Sequence, residues 1–274
     1  MVVHHLHIPQ PPLSHFVESF WLYEGERPAH AKERRRPDGA VGLVFNLCDD
    51  LIRIYDSRDQ EAFHSYRGAV LSGPQSSYIV LDTASLTATL GVTFRPGGMM
   101  PFLPFPVSDL SNQVLSLETL WGAEIADLRG SLSIAATPAA RFAILERFLL
   151  TRLDLSRISH PAVSSAVAGL QDAARFPTIA SLAEQIGLSQ TRLAQVFRDS
   201  MGMTPKQYAR LSRFQRVIAR LDAGGAGEWA DTVFSCGYFD QSHLIHEFQA
   251  FAGLTPVQYL AMRSDFRNHV PLPA

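Results

Sequence analysis

The sequence predicts an α+β fold in two parts. The first half reads as an antiparallel β sheet or barrel with helices, and the second as an all-α domain of two helix-turn-helix units joined by a long helix. Three observations carry that expectation. Short apolar runs broken by Gly, Pro, Asp and Ser fill the chain up to residue 94, the pattern of sheet strands and their turns. Helical spacing takes over after Gly98. A stretch at residues 182–208 then recurs: shifted by 51, Leu193, Phe197, Gly202, Thr204, Pro205 and Tyr208 fall on Leu244, Phe248, Gly253, Thr255, Pro256 and Tyr259. With 274 residues, 46% hydrophobic and 18% charged, the chain can bury two cores and is too apolar for disorder.

From the N-terminus, Leu13, Val17 and Trp21 recur every four residues and predict a short helix packed on the domain behind it. Residues 41–48, 51–55, 68–72, 77–81 and 86–94 read as strands. Asp49-Asp50, between the first two, predicts a hairpin turn. The run Lys32-Glu33-Arg34-Arg35-Arg36 fits a solvated loop better than a basic arm lying on nucleic acid. Helices are expected at 98–103, 117–132 and 137–153. In the last, Phe142, Leu145, Phe148, Leu149 and Arg152 make a wide apolar face beside Arg141, Glu146 and Arg147, favouring packing on its own sheet over a dimer seam. Residues 154–161 form a polar linker. The expected first domain spans 1–155, its helical part about 98–153, and the second spans 160–265.

Within the second, the first unit covers about 178–200, the connecting helix about 205–222 and the second unit about 228–251. Leu182, Ala183 and Ile186 supply a stripe, Gly187 stops the helix, and Ser189 caps the next, which buries Leu193, Val196 and Phe197. Gly202 ends that helix, and Thr204-Pro205 opens another with Pro where its missing N–H costs nothing. In the second copy Trp229, Val233 and Phe234 take the stripe, Gly237 the stop, Asp240 the cap, and Leu244 and Phe248 the core. Gly187 matches Gly237 at a shift of 50, so the second turn holds one extra residue. The connecting helix, with Tyr208, Leu211, Phe214, Ile218 and Leu221 on one face, is roughly 25 Å long, near the roughly 34 Å repeat of major-groove faces on a duplex.

The net charge of −2 says little, but its distribution does. Residues 185–221 carry Arg192, Arg198, Lys206, Arg210, Arg213, Arg216 and Arg220 against Asp199 alone, a net +6 suited to phosphates. Residues 239–274 carry Arg263 and Arg267 against Asp240, Glu247 and Asp265, a net −1. The second unit is thus expected to bind DNA more weakly, relying on a dimer or on protonation of His243 and His246. Cys48 and Cys236 imply neither a disulfide framework nor a zinc site. Neither a span of about 18 apolar residues nor a signal peptide's apolar core appears, so a cytoplasmic protein off the membrane is expected.

The residues resemble a family. Residues 160–263 look like the DNA-binding domain of AraC/XylS-type bacterial transcription regulators, whose two units each end in G-x-T/S-P-x-x-Y. Gly202-Met203-Thr204-Pro205 with Tyr208 and Gly253-Leu254-Thr255-Pro256 with Tyr259 fit it, as do Gly237-Tyr238 and Asp240-Gln241. Val233, where the family usually has Ala, followed by bulky Phe234, departs from it and implies a shifted angle for the second unit. The first half resembles the sensor half of a poorly characterised AraC-like subgroup through Pro37-Asp38-Gly39, Leu43-Val44-Phe45-Asn46-Leu47, Gly91-Val92-Thr93-Phe94-Arg95-Pro96-Gly97-Gly98, Pro101-Phe102 and Leu120-Trp121-Gly122.

The resemblance implies a DNA-binding regulator with double-stranded DNA as partner, an unknown small-molecule effector at the first domain, a homodimer, and RNA polymerase as a further partner if it activates. Bases are expected to meet Gln190, Thr191, Arg192 and Gln195 in the first unit, and Gln241, Ser242, His243 and His246 in the second. Phosphates are expected to meet Arg198, Lys206, Arg210 and Arg213. Arg95, Gly97 and Gly98 form a candidate anion site, although a tight turn whose Arg pairs with a nearby acid is the favoured reading. His4, His5, His7 and His15 have the crude look of a metal site, but no Cys or carboxylate stands at ligand spacing beside them, and no metal is expected. No catalytic motif is present, so neither catalysis nor a cofactor is expected. The alternatives, a small-barrel enzyme or a protein-interaction module, leave the +6 cluster beside the duplicated unit unexplained.

Overall fold

The computed structural model describes residues 3–26, 28, 30–57, 59, 61–83, 86–172, 177–224, 229–264 and 268–272. The expected start of the second unit at 228, Asp265 and Arg267 of the charge count, and the Trp229 side chain lie outside the described residues.

The first half supplies β1 (Val3–His7), β2 (Val17–Glu24), β3 (Lys32–Arg35), β4 (Gly42–Asn46), β5 (Leu51–Tyr55), β6 (Phe63–Arg67), β7 (Ala69–Ser72), β8 (Ile79–Asp82), β9 (Ala88–Phe94) and β10 (Val114–Ser116). One sheet runs β1-β2-β9-β4-β7-β10, the other β3-β8-β5-β6 with β11 (His269–Pro271) added beside β3. The pairings are antiparallel. Phe20, Leu22, Leu43, Phe45, Leu71, Leu90, Val92 and Phe94 point from the first sheet into one core. The helices α1 (Leu117–Trp121), α2 (Glu124–Ile134) and α3 (Pro138–Leu150) close that core with Leu117, Ile125, Leu128, Leu132, Phe142, Leu145 and Leu149. The apolar face of α3 therefore packs on its own sheet. Thr137 caps that helix, its hydroxyl accepting from Ala140 N at 3.2 Å.

Five expectations are corrected by the structure. Residues 13–21 are not a helix: only Leu13–His15 makes a 3-10 turn, and the rest enters β2, where buried Phe20 and Leu22 alternate with partly open Trp21 and Tyr23. Pairing with both β1 and β9 outweighs the four-residue spacing. Asp49-Asp50 makes no hairpin, because β4 and β5 lie in different sheets. It turns a corner built by Asn46, whose Oδ1 accepts from Cys48 N (3.0 Å) and Asp49 N (3.1 Å) and whose Nδ2 donates to Leu51 O (3.1 Å). Arg129 of α2 donates to Asn46 O at 2.6 Å and Asp49 O at 2.7 Å and pairs with Asp50. The basic run 32–36 is neither loop nor arm: it forms β3, flanked by β8 and β11, and Arg36 is only 1% exposed beneath the Tyr259 ring at 4.8 Å. Residues 117–132 break at Gly122 (φ 78°) into α1 and α2, and 98–103 reduces to a 3-10 turn at Met100–Phe102.

The second half folds as α4 (Pro161–Gln171), α5 (Ile179–Ile186), α6 (Gln190–Met201), α7 (Pro205–Asp222), α8 (Trp229–Ser235), α9 (Gln241–Ala252) and α10 (Pro256–Met262). Its core gathers the predicted Leu193, Phe197, Tyr208, Leu211, Phe214, Ile218, Leu221, Leu244, Phe248 and Tyr259. Val270 of β11 belongs to this core while its backbone extends the other half's sheet.

Candidate nucleic-acid interface

The doubled sequence makes a doubled local structure. Gly187 (φ 78°) and Gly237 (φ 80°) stop α5 and α8, after which Leu188 N and Tyr238 N donate back to Ala183 O at 3.0 Å and Val233 O at 2.9 Å. The next helices are capped by Ser189, accepting from Arg192 N at 3.2 Å, and Asp240, accepting from His243 N at 2.7 Å. Leu188 thus corresponds to Tyr238 and Ser189 to Asp240, which identifies the extra residue as Phe239. Downstream, Thr204 with Gln207 and Thr255 with Gln258 form the same reciprocal box, each at 2.8 and 3.2 Å, satisfying two backbone donors at each helix start.

On this frame Gln190, Thr191, Arg192 and Gln195 lie exposed along α6, and Gln241, Ser242, His243 and His246 along α9. Gln195 also donates to both carboxylate oxygens of Asp199 at 2.9 Å. Arg198 and Lys206 are exposed. Arg210 and Arg213 are placed differently: both are half-buried and turned to the second unit, where Arg210 Nε donates to Glu247 Oε1 at 2.6 Å and Arg213 lies 3.6 Å from it. Glu247 is 6% exposed and also faces His243 at 3.7 Å. Burial, and next the Glu247 charge, push the Tyr238 phenol well above its ordinary value. Sequence reading missed this buried acid. The signal was available, since a shift of 51 puts Glu247 where the first copy has Val196, equally buried at 6%.

The second unit also departs from its predicted stripe. Val233 is buried, but Phe234 is 69% exposed, because a helix of seven residues seats only part of its circumference. Phe239 is 84% exposed.

The first half holds both units at equivalent points. Gly202 and Gly253, each at φ 66°, end α6 and α9. A side chain on Gly202 would collide with Pro74 and Val107, and one on Gly253 with Tyr78. Ser111 donates to Gly202 O, and Gln215 of α7 donates to Pro37 O. A cleft of about 460 Å³ between the halves is lined by Pro74, Ser76, Asn112, Arg198, Thr204 and Gln207, among others. At the tail, Leu272 N donates to Lys32 O (2.9 Å), Arg36 N to Asn268 O (2.8 Å) and Asn268 Nδ2 to Asp38 (3.1 Å), and His269 meets Glu33 at 2.6 Å.

Elsewhere, Arg95 Nε donates to Ser14 O at 2.8 Å, Arg95 N to Phe16 O and Gly98 N to Arg95 O. The segment with Gly97 and Gly98 is a turn whose Arg meets a carbonyl rather than the expected acid. His7 bonds Glu146 at 2.9 Å and stacks on Phe142. Among the described residues no group of three or more His, Cys, Asp or Glu is placed to hold a metal, and no helix is long and apolar enough to cross a membrane.

Two helix-turn-helix units on one connecting helix define a bipartite helix-turn-helix domain. Residues 182–262 match the model of a helix-turn-helix domain family, and residues 5–116 match a domain of unknown function, DUF6597. The chain is 30% identical over 148 residues to an AraC-like transcription regulator of Streptomyces lividans, and 31% over 120 residues to one of Streptomyces antibioticus. These matches cover 49% and 43% of the chain but 46% and 37% of the relatives, so the chain spans less than half their length. Its fold is similar to an apo variant of ToxT from Vibrio cholerae, with a TM-score of 0.51, 12% identity and coverage of 89% of this chain and 98% of that one. It is likewise similar to ToxT of Vibrio cholerae bound to (E)-4-(8-methylnaphthalen-1-yl)but-3-enoic acid, with a TM-score of 0.50 and 12% identity over 88% and 98% of the two chains. Residues 182–262 are therefore a helix-turn-helix domain, similar in sequence to AraC-like regulators.

Proposed function

We propose that the chain is a cytoplasmic, non-catalytic, sequence-specific regulator of transcription that binds double-stranded DNA with both units in neighbouring major-groove segments. The division is at residues 1–155 for sensing and 160–265 for DNA, with the tail strand returning to the sensor. The observation that carries the reading is the duplicated frame: two helices with the same caps, the same αL glycine ends and polar residues exposed along their outer faces. Gln190, Thr191, Arg192, Gln195, Gln241, Ser242, His243 and His246 read bases, and Arg198 and Lys206 hold phosphates. Arg210 and Arg213 serve the fold of the second unit instead.

Control by a small molecule is supported by the grip of the first half on both helix ends and by the fold it shares with an acid-bound ToxT. A ligand that favours one arrangement of sensor and units would shift DNA affinity by its differential affinity alone. The active form is a homodimer, and RNA polymerase is a further partner if the chain activates. The test is a duplex-binding titration in rising salt with the full chain: affinity should fall steeply with salt on a selected sequence and remain far weaker on an unrelated duplex. Absence of binding at low ionic strength would refute it.

A further inference from the structure

The one residue by which the second turn exceeds the first is also its most exposed large side chain. Phe239 precedes the Asp240 cap of α9, where Leu188 is followed directly by the Ser189 cap in the first unit. It is 84% exposed, while its neighbour Tyr238 is buried in the core at 4%. The core of the second unit therefore closes without Phe239. Nearby, the cations of the first unit are missing from their equivalents at a shift of 51: Arg192 is matched by His243, Arg198 by Gln249 and Lys206 by Val257. The N-terminal end of a recognition helix is the part that meets base edges in the major groove. There, a Phe side chain finds one apolar partner, the C5-methyl of thymine.

We infer that Phe239 is a specificity-determining residue of the second unit and selects thymine at one position through that methyl. This rests on the proposed DNA-binding function and deepens it: the first unit distinguishes bases by polar and charged groups, and the second adds an apolar contact. Being so exposed, Phe239 can be truncated without removing core packing.

The experiment uses the full chain. A preferred duplex is obtained by selection from a randomised pool. Each thymine of the segment covered by the second unit is then replaced singly by uracil, which deletes only the methyl. The unsubstituted chain should lose about fourfold in affinity at one position, the value of one buried methyl-sized group. Phe239→Ala should lose a similar factor on the parent duplex and be indifferent to uracil there, while Arg192→Ala keeps the uracil effect. If no position is methyl-sensitive, if the sensitive position stays so in Phe239→Ala, or if Phe239→Ala binds DNA normally and loses only self-association, the inference is overturned and the regulator reading stands. A chain that selects no sequence overturns both.

Discussion

The two helix-turn-helix units share caps, glycine ends and core positions, yet differ in how they use charge. The first buries Val196 and leaves Arg192, Arg198 and Lys206 exposed. The second buries Glu247 at the equivalent point, draws Arg210 and Arg213 inward from the connecting helix to meet it, and exposes Phe239 and Val257. Copying a fold fixes the backbone frame, and a single buried acid redirects the neighbouring cations. A net charge counted along the sequence therefore overstates what the connecting helix offers to DNA.

The largest expected effect follows from that buried acid. Arg210→Ala removes the closest donor of the buried Glu247 and should lower stability in urea by about 2 kcal/mol, less than breaking a fully buried pair because Arg210 is half-exposed and Arg213 and His243 still face the acid. Glu247→Val, which restores the residue type of the first copy, should be neutral or stabilising. Unchanged stability in Arg210→Ala would contradict the pairing. Next comes the tail: Val270, fully buried, reaches the helical core from the first half's sheet, and Val270→Ala should cost about 2 kcal/mol by the same measurement. No change would mean that β11 does not hold the halves together.

A pH effect tests the same tail. Burial raises the Glu33 carboxyl, but bonds to His269 and His30 outweigh it and hold the group below its ordinary 4.5. Its stabilisation is present above that value and lost as pH falls through the lower folded one. Acid unfolding curves should show this loss, and it should shrink in His269→Ala. Smallest in total affinity but sharpest in kind, Arg192→Ala should relax base preference at one position of the first half-site. His243→Ala should do less at the equivalent place, because Arg grips guanine with two bonds. A selection experiment reads both.

Most of the helical half was legible because its signals are local: Gly at αL stops, Ser, Thr and Asp at caps, and apolar residues at helical spacing. The helix α7, Pro205–Asp222, buries the predicted face of Tyr208, Leu211, Phe214, Ile218 and Leu221. The strands 42–46, 51–55, 69–72, 79–82 and 88–94 were legible from their apolar runs. What failed depended on distant partners. β3 has four charged side chains and reads as a loop until β8 and β11 flank it, and β11 has only three residues. Val17 and Trp21 matched a helix by spacing, though neighbouring strands decide the backbone. The outward residues were legible as the gaps between core positions, whereas the commitment of Arg210 and Arg213 needed the packing of α7 against α9.

Exposed Arg198 and Lys206 in the first unit stand against Arg210, which is bonded to Glu247 of the second, and paired salt titrations on one duplex distinguish them. Arg198→Ala should lower affinity for all sequences alike and flatten the logarithmic salt slope by about one unit. Arg210→Ala, measured at a temperature where it remains folded, should leave that slope unchanged. An equal flattening by both would contradict the account.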